Sequence, residues 1–307
     1  MHQTGRDSLE SLFFVQEVTN MEIGAVLITA GCGSTPAMPC GGITVAQRMI
    51  ASLQKAGVSL IVVVTDSEDK KLEKQLAQAG VFFLRNEVPE QEEISAAIGL
   101  NYLADKCDRV FLFKAERPLV DPDTLLQMLE VDSSLVIPVH NGKEGLPWLL
   151  KAPYSAMRDF DASTAGKLHI EDPGIILTAE ESASMKEAIS NHDRKLTRPV
   201  LDFTISRGKP LVDGKLITLL SLIRETQSVR DACNRMQISY STAWNLLNGA
   251  EDSLGYPLIL RSKGGPSGSG SLLTEKGSAL LIACEQFESA ARESLSSLYE
   301  SIFQDVL

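Results

Sequence analysis

Two stretches of this 307-residue chain gather residues whose types and spacing could do chemistry. The first is Gly31 to Gly42, GCGSTPAMPCGG, which follows the short apolar run Ile23–Ala30 and precedes the amphipathic run Thr44–Ala56. A strand that gives way to a Gly-rich loop and then a helix can wrap phosphates with backbone N–H groups. The residues expected to face a nucleotide are Ala30, Gly31, Gly33, Ser34, Gly41 and Gly42. Their spacing is neither G-x-G-x-x-G nor G-x-x-x-x-G-K-[ST], so the loop alone names no nucleotide. It contains no Lys or Arg; Arg48 and Arg117 are the cations that could turn toward it. Glu116, in Glu116-Arg117-Pro118, is either a surviving catalytic or metal ligand or an ordinary loop carboxylate.

The second stretch is Ser239-Tyr240-Ser241-Thr242 with Asn245, followed by Arg261 and Lys263. Ser239 is a good N-cap, and the helix it opens would run to Leu254 and stop at Gly255. Before it lie a helix over Asp213–Thr226, with Leu216, Leu219, Leu220 and Ile223 on one face, and a short helix over Val229–Met236 capped by Ser228. After it, Pro257–Arg261 and Ser271–Thr274 can pair as strands around the Gly/Ser-rich SKGGPSGSG. This order predicts a helix-turn-helix with a wing. Ser239, Tyr240, Ser241, Thr242 and Asn245 would meet the major groove, and Arg261 and Lys263 phosphate or the minor groove. A plain three-helix bundle with a loop is the alternative. From Glu275 onward Leu280, Ala283, Phe287, Ala291, Leu295, Leu298 and Ile302 recur at helical spacing, which predicts a long helix and a homodimer seam.

The elements that must position the first stretch alternate. Apolar runs at Ile23–Ala30, Ser59–Thr65, Val81–Leu84, Arg109–Phe113 and Ser134–Pro138 are separated by helical patterns at Thr44–Ala56, Glu68–Ala79, Glu92–Ala104 and Asp121–Leu129. Such alternation predicts right-handed crossovers and a mainly parallel sheet. Leu146–Leu150, Lys167–Ile170 and Gly174–Leu177 are expected to add short strands. The expected fold class is therefore a Rossmann-like α/β domain over 20–190, a linker over 191–200, and a mostly α winged domain with a long dimerisation helix over 201–307.

Charge follows this division. The chain carries a net charge of −11, yet residues 198–276 hold 10 Lys+Arg against 7 Asp+Glu. Screening makes that local excess, rather than the total, decide attraction to phosphate. The 5 cysteines form no Cys-x-x-Cys pair and predict reduced thiols. His140 and His169 lack ligand spacing and are expected to have structural or surface roles. No apolar run reaches the length of a membrane span and no leader peptide is recognisable, so a cytoplasmic protein without membrane partners is expected.

Family resemblance sharpens both halves. GAVLITAG (Gly24–Gly31), Gly41–Thr65, Asn86 with Ile94–Leu100, Ala115–Leu125, EGLPWLL (Glu144–Leu150) and EDPGIILTAEES (Glu171–Ser182) resemble the MobA/MocA-like molybdenum-cofactor nucleotidyltransferases and their sugar-phosphate relatives. The resemblance implies a nucleotide triphosphate and Mg²⁺. It also exposes three departures: the loop lacks the family's Arg and Lys, Glu116 stands for the metal-binding Asp, and Thr178 and Ala179 stand where a further Asp is usual, with Glu180 and Glu181 as imperfect substitutes. Ile238–Leu281 resembles the DNA-binding domain of ModE-type (LysR-like) molybdate-responsive regulators, through Ser239, Tyr240, Ala243 and Trp244 and then Leu273, Thr274 and Gly277. Their molybdate-binding module has no counterpart before Leu307. The expectation is a homodimeric transcriptional regulator of molybdenum or molybdenum-cofactor metabolism that binds double-stranded DNA. Its nucleotidyltransferase-like sensor would be inactive, with a nucleotide or molybdenum-related effector. The rival is an active bifunctional nucleotidyltransferase that also binds DNA.

Overall fold

The computed structural model describes residues 23–78, 80–153, 165–261 and 270–303. The α/β part opens with β1 (Ile23–Ile28), a 3₁₀ turn (Thr35–Ala37), a two-residue hairpin of β2 (Pro39–Cys40) and β3 (Ile43–Thr44), and α1 (Val45–Lys55). β4 (Leu60–Asp66), α2 (Lys70–Leu76), β5 (Val81–Asn86), α3 (Glu92–Leu103), β6 (Arg109–Lys114) and α4 (Pro122–Glu130) follow. β7 (Leu135–His140), β8 (Lys143–Glu144), β9 (Trp148–Lys151) and β10 (Gly166–His169) complete the sheet. Its order is β10-β7-β9-β6-β1-β4-β5, with β8 on β7. β5, β4, β1 and β6 run parallel, while β9 is antiparallel to both β6 and β7. The apolar runs of β1 and β4 are buried on both faces because helices cover both sides. One layer of core joins Leu27, Ile61 and Phe111 to Met49, Ile50 and Leu125; the other joins Val26, Val62 and Leu112 to Ala96, Leu100 and Leu103.

Gly174–Leu177, expected as a strand, is a 3₁₀ turn (Pro173–Ile175). Pro173 has no N–H for a ladder, and Asp172 caps the turn by accepting from Gly174 N at 2.8 Å. Thr178 then opens α5 (Ala179–Ala183), and α6 (Lys186–Lys195) runs five residues into the stretch read as a linker.

The second part begins with a hairpin absent from the sequence reading, β11 (Thr204–Arg207) and β12 (Lys209–Asp213). α7 (Gly214–Thr226), α8 (Val229–Met236) and α9 (Tyr240–Leu254) follow, then β13 (Ile259–Arg261) paired with β14 (Ser271–Leu273), and α10 (Glu275–Phe303). Leu216, Leu219, Leu220 and Ile223 of α7 are buried against Ala232, Ala243, Leu247 and Leu258. Gln237, at φ 55° in the left-handed region, makes the tight turn between α8 and α9. Thr274 caps α10, accepting from Gly277 N at 2.9 Å and donating to Pro257 O at 2.8 Å. A Cβ on Gly277 would meet the Leu258 carbonyl oxygen at 2.2 Å, so the crossing of α10 over this segment requires glycine.

The two parts touch. Phe82 of β5 joins the second core, and Lys55 lies over the Tyr299 ring. Tyr102 donates to Glu225 Oε2 at 2.8 Å, and the Arg235 guanidinium lies 5.0 Å from its ring centre. Lys55 and Tyr102 end their helices and Phe82 starts its strand. The second part therefore docks on the amino edge of the parallel strands, away from the loop that follows β1.

Candidate functional site

Gly31 begins its loop with φ 72°, and a Cβ there would meet the Pro89 carbonyl oxygen at 2.4 Å. Glycine is thus required on both counts. Its N–H does not point to free space, because Asp66 Oδ1 accepts it at 3.1 Å. Ala30 N donates to Val64 O, and the N–H groups of Cys32, Thr35, Ala37 and Met38 donate to Thr29, Cys32, Ser34 and Thr35 carbonyls. The loop is a chain of internal turns. Gly33, Ser34, Gly41 and Gly42 are exposed, and their N–H groups stand outside these bonds.

Arg48 does reach the loop, but from beneath, against the Cys40 carbonyl, and not on its exposed side. It is fully buried under it, with Nε and Nη2 donating to Cys40 O at 3.1 and 2.9 Å and Nη1 paired to Asp193 at 2.8 Å. Nη1 also donates to His192 Nδ1 at 3.1 Å, which makes Nδ1 an acceptor and places the ring proton on Nε2, 2.9 Å from Val120 O. Both contacts fit the neutral ring. Burial first, then Arg48, holds the His192 pKa below its ordinary value against the opposing Val120 bond. Sequence reading missed this network, because His192 and Asp193 sit in a polar stretch that resembles a linker and no spacing ties them to Arg48.

Glu116 follows β6, one-third exposed, with Oε1 3.6 Å from Arg117 Nη2. Ala115 N donates to Ile28 O at 2.9 Å, so Glu116 follows directly on the residue that joins the ends of β6 and β1; burial pushes the Cys32 thiol up to about 11. Lys114 is tied to Glu92 at 2.9 Å. Glu181 forms a capping box with Thr178, whose backbone and hydroxyl both donate to it, so it is committed to α5. Among the described residues no group of three or more His, Cys, Asp or Glu side chains could hold a metal ion. A cavity of ≈ 290 Å³ opens beside these residues, walled by Ile28, Ala96, Leu112, Leu146 and Trp148 with Glu92 and Lys114. A hollow of ≈ 540 Å³ lies between Ala37 and α2 and is walled by surface groups such as Lys71 and Lys74.

His140 is buried and its Nδ1 lies 2.9 Å from Ile170 O, a structural role; His169 is exposed.

At the amino end of α9, Ser239, Tyr240, Ser241, Thr242 and Asn245 are all exposed on one patch. Ser239 Oγ caps Thr242 N at 3.1 Å and lies within 2.8 Å of the Ser241 and Thr242 hydroxyls. Tyr240 is half exposed, its ring edge-on to Trp244 at 5.9 Å. Arg261 ends β13, and Lys263 lies outside the described residues.

Residues 33–170 match the family described as a MobA-like NTP transferase domain. The chain is 30% identical over 123 residues to molybdenum-pterin-binding protein MopB of Rhodobacter capsulatus, covering 40% of this chain and 44% of that protein. It is 31% identical over 91 residues to MopA of the same organism, covering 30% and 34%. The chain thus spans less than half the length of these curated relatives. Among solved structures, a nucleotidyl transferase from Methanothermobacter thermautotroptrophicus matches at 20% identity and a TM-score of 0.47, over 57% of this chain and 99% of that one. The 4-diphosphocytidyl-2C-methyl-D-erythritol synthase of Anaerococcus prevotii matches at 15% and 0.43, over 58% and 99%. The α/β part is a nucleotidyltransferase-like domain with a mainly parallel mixed sheet, joined to a helical C-terminal region. No helix among the described residues is long and apolar enough to cross a membrane.

Proposed function

We propose that this chain is a DNA-binding transcriptional regulator of molybdenum or molybdenum-cofactor metabolism. In this reading α7, α8, α9 and the β13–β14 pair form a winged helix-turn-helix, and the nucleotidyltransferase-like domain is a sensor that has lost nucleotidyl transfer. The observation that carries it is the amino end of α9. Five polar residues, Ser239, Tyr240, Ser241, Thr242 and Asn245, stand exposed there just after a tight turn, the geometry that puts base-reading side chains into a major groove. Arg261 and Lys263 would add phosphate contacts. The link to molybdenum rests on the two Rhodobacter proteins, whose names state that they bind molybdenum-pterin.

Lost transfer follows from charge. Catalysis of nucleotidyl transfer needs donors and cations aimed at the phosphates. Here Gly31 N is held by Asp66, Arg48 is buried in its own network, and among the described residues Glu116 belongs to no group of three or more side chains that could hold a metal ion. α10 supports a homodimer, because Ile282, Leu298, Ile302 and Phe303 are exposed along it.

The test uses the full chain. Gel shifts are expected to show duplex DNA binding that weakens steeply with salt, Asn245→Ala relaxing base preference and Arg261→Ala weakening all sequences alike. Binding that ignores salt, or no binding, defeats the reading. CTP, GTP and ATP with Mg²⁺ are expected to release no pyrophosphate. A second reading, the active bifunctional enzyme, is favoured by the place of Glu116 next to Ala115, whose N–H donates to Ile28 O at the end of β1, where the loop begins. Pyrophosphate release abolished by Glu116→Ala would put it in place of the first.

A further inference from the structure

We propose that Arg117 is the receptor for a tetrahedral oxyanion at the carboxyl edge of the sheet, either free or carried as a phosphoryl group on a small molecule. This deepens, and rests on, the reading of the domain as a sensor. Arg117 is four-fifths buried, and its Nε and Nη1 are enclosed with no hydrogen-bond acceptor among the described residues. Its Nη2 faces Glu116 Oε1 at 3.6 Å, beyond hydrogen-bond distance. An unsatisfied buried donor costs stability, more so when charged, and such groups persist in folded proteins where something else supplies the acceptor.

Other buried arginines of this domain show the contrast. Arg48 reaches Cys40 O, His192 and Asp193, and Arg109 puts Nη1 and Nη2 on the Leu129, Met128 and Val131 carbonyls, leaving Nε alone unpaired. Arg117 has no such set. Glu116 and Glu181 lie close enough to offset part of its charge, but Glu181 is held by Thr178 and neither carboxylate bonds to the guanidinium. A permanently charged planar group whose Nε and Nη1 are enclosed without an acceptor matches the several oxygens of an oxyanion better than it matches a single carbonyl. The loop after β1 ties up most of its donors internally and carries no cation, so positive charge for an anion at this edge comes from a side chain.

The experiment is calorimetric titration of the full chain with inorganic phosphate, pyrophosphate and CTP, each without added metal, together with thermal melts in probe-free buffer. At least one probe is expected to bind. Arg117→Gln is expected to weaken it at least tenfold and Arg117→Lys less, while Arg117→Gln melts no lower than the parent because the lost donors had no protein partner. Phosphate binding identifies a free oxyanion; binding of CTP alone identifies a phosphoryl group on a nucleotide. Absence of binding by all three probes, binding indifferent to Arg117→Gln, or a melting point several degrees lower in that variant overturns the proposal. Gel shifts on the same variants separate the two readings: DNA binding intact with no probe bound sinks the oxyanion site and leaves the regulator.

Discussion

The loop after β1 and the amino end of α9 are built from similar material, small polar residues at a turn with N–H groups to offer. They use it in opposite ways. In the loop, Ala30, Gly31, Cys32, Thr35, Ala37 and Met38 direct their N–H groups to carbonyls or to Asp66, and the nearest arginine on α1 is sunk into the protein. At α9, the Ser239 hydroxyl caps the helix and joins its neighbours, while the side chains around it face solvent. A turn that satisfies itself is stable without a ligand and has little left for one. The helix end stays polar and uncovered, as the proposed docking on a duplex requires. The difference contrasts a loop closed on itself with a helix end that the proposal makes the recognition surface, and it can be broken experimentally.

The largest effect is expected at α10. Leu298→Asp with Ile302→Asp places two charges on the exposed apolar line, and sedimentation should report monomers with DNA affinity lower by about a hundredfold or more, since two half-sites are no longer linked. A charged variant that stays dimeric would move the interface elsewhere. Next is Arg48→Ala, which leaves the Cys40 carbonyl and His192 without their donor beneath the loop. Urea unfolding should show a loss of about 3–5 kcal/mol with DNA binding by the surviving folded protein unchanged. Gly277→Ala should cost about 1–3 kcal/mol, because its methyl meets the Leu258 carbonyl at 2.2 Å. The smallest is a pH effect. His192 has a folded pKa below the unfolded value near 6.5, so the unfolded chain takes up the proton first. Stability contributed by the neutral ring is complete above about pH 6.5 and declines as pH falls from there toward the lower folded value. His192→Gln should flatten that part of the stability–pH curve.

Much of this was legible from sequence because it is local. Periodicity found β1, β4, β5, β6 and the helices between them, and the caps at Ser228 and Ser239 fixed α8 and α9 to the residue. The absence of a cation between Gly31 and Gly42 was equally plain. Contacts distant in the chain were not. Nothing in Ile43–Ala56 announces that Arg48 pairs with His192, 144 positions away, and Asp66 gives no sign that it accepts from Gly31. The hairpin β11–β12 escaped notice because its strands are mostly exposed and carry no alternation. Gly174–Leu177 looked like a strand by its apolar content, but Pro173 and the Asp172 cap decided for a turn.

The docking of the helical part on the amino edge of the sheet has one more consequence. A small molecule at the carboxyl edge and a duplex at α9 would occupy opposite ends of the α/β layer, so neither blocks the other and both can be bound at once. Any influence between them is then thermodynamic linkage through the body of the protein, not competition for space. α3 is the physical path on offer, since Glu92 lines the cavity at one end and Tyr102 holds Glu225 at the other. Whatever factor such a molecule applies to duplex affinity, the duplex must return to the molecule, in the same direction and by the same amount.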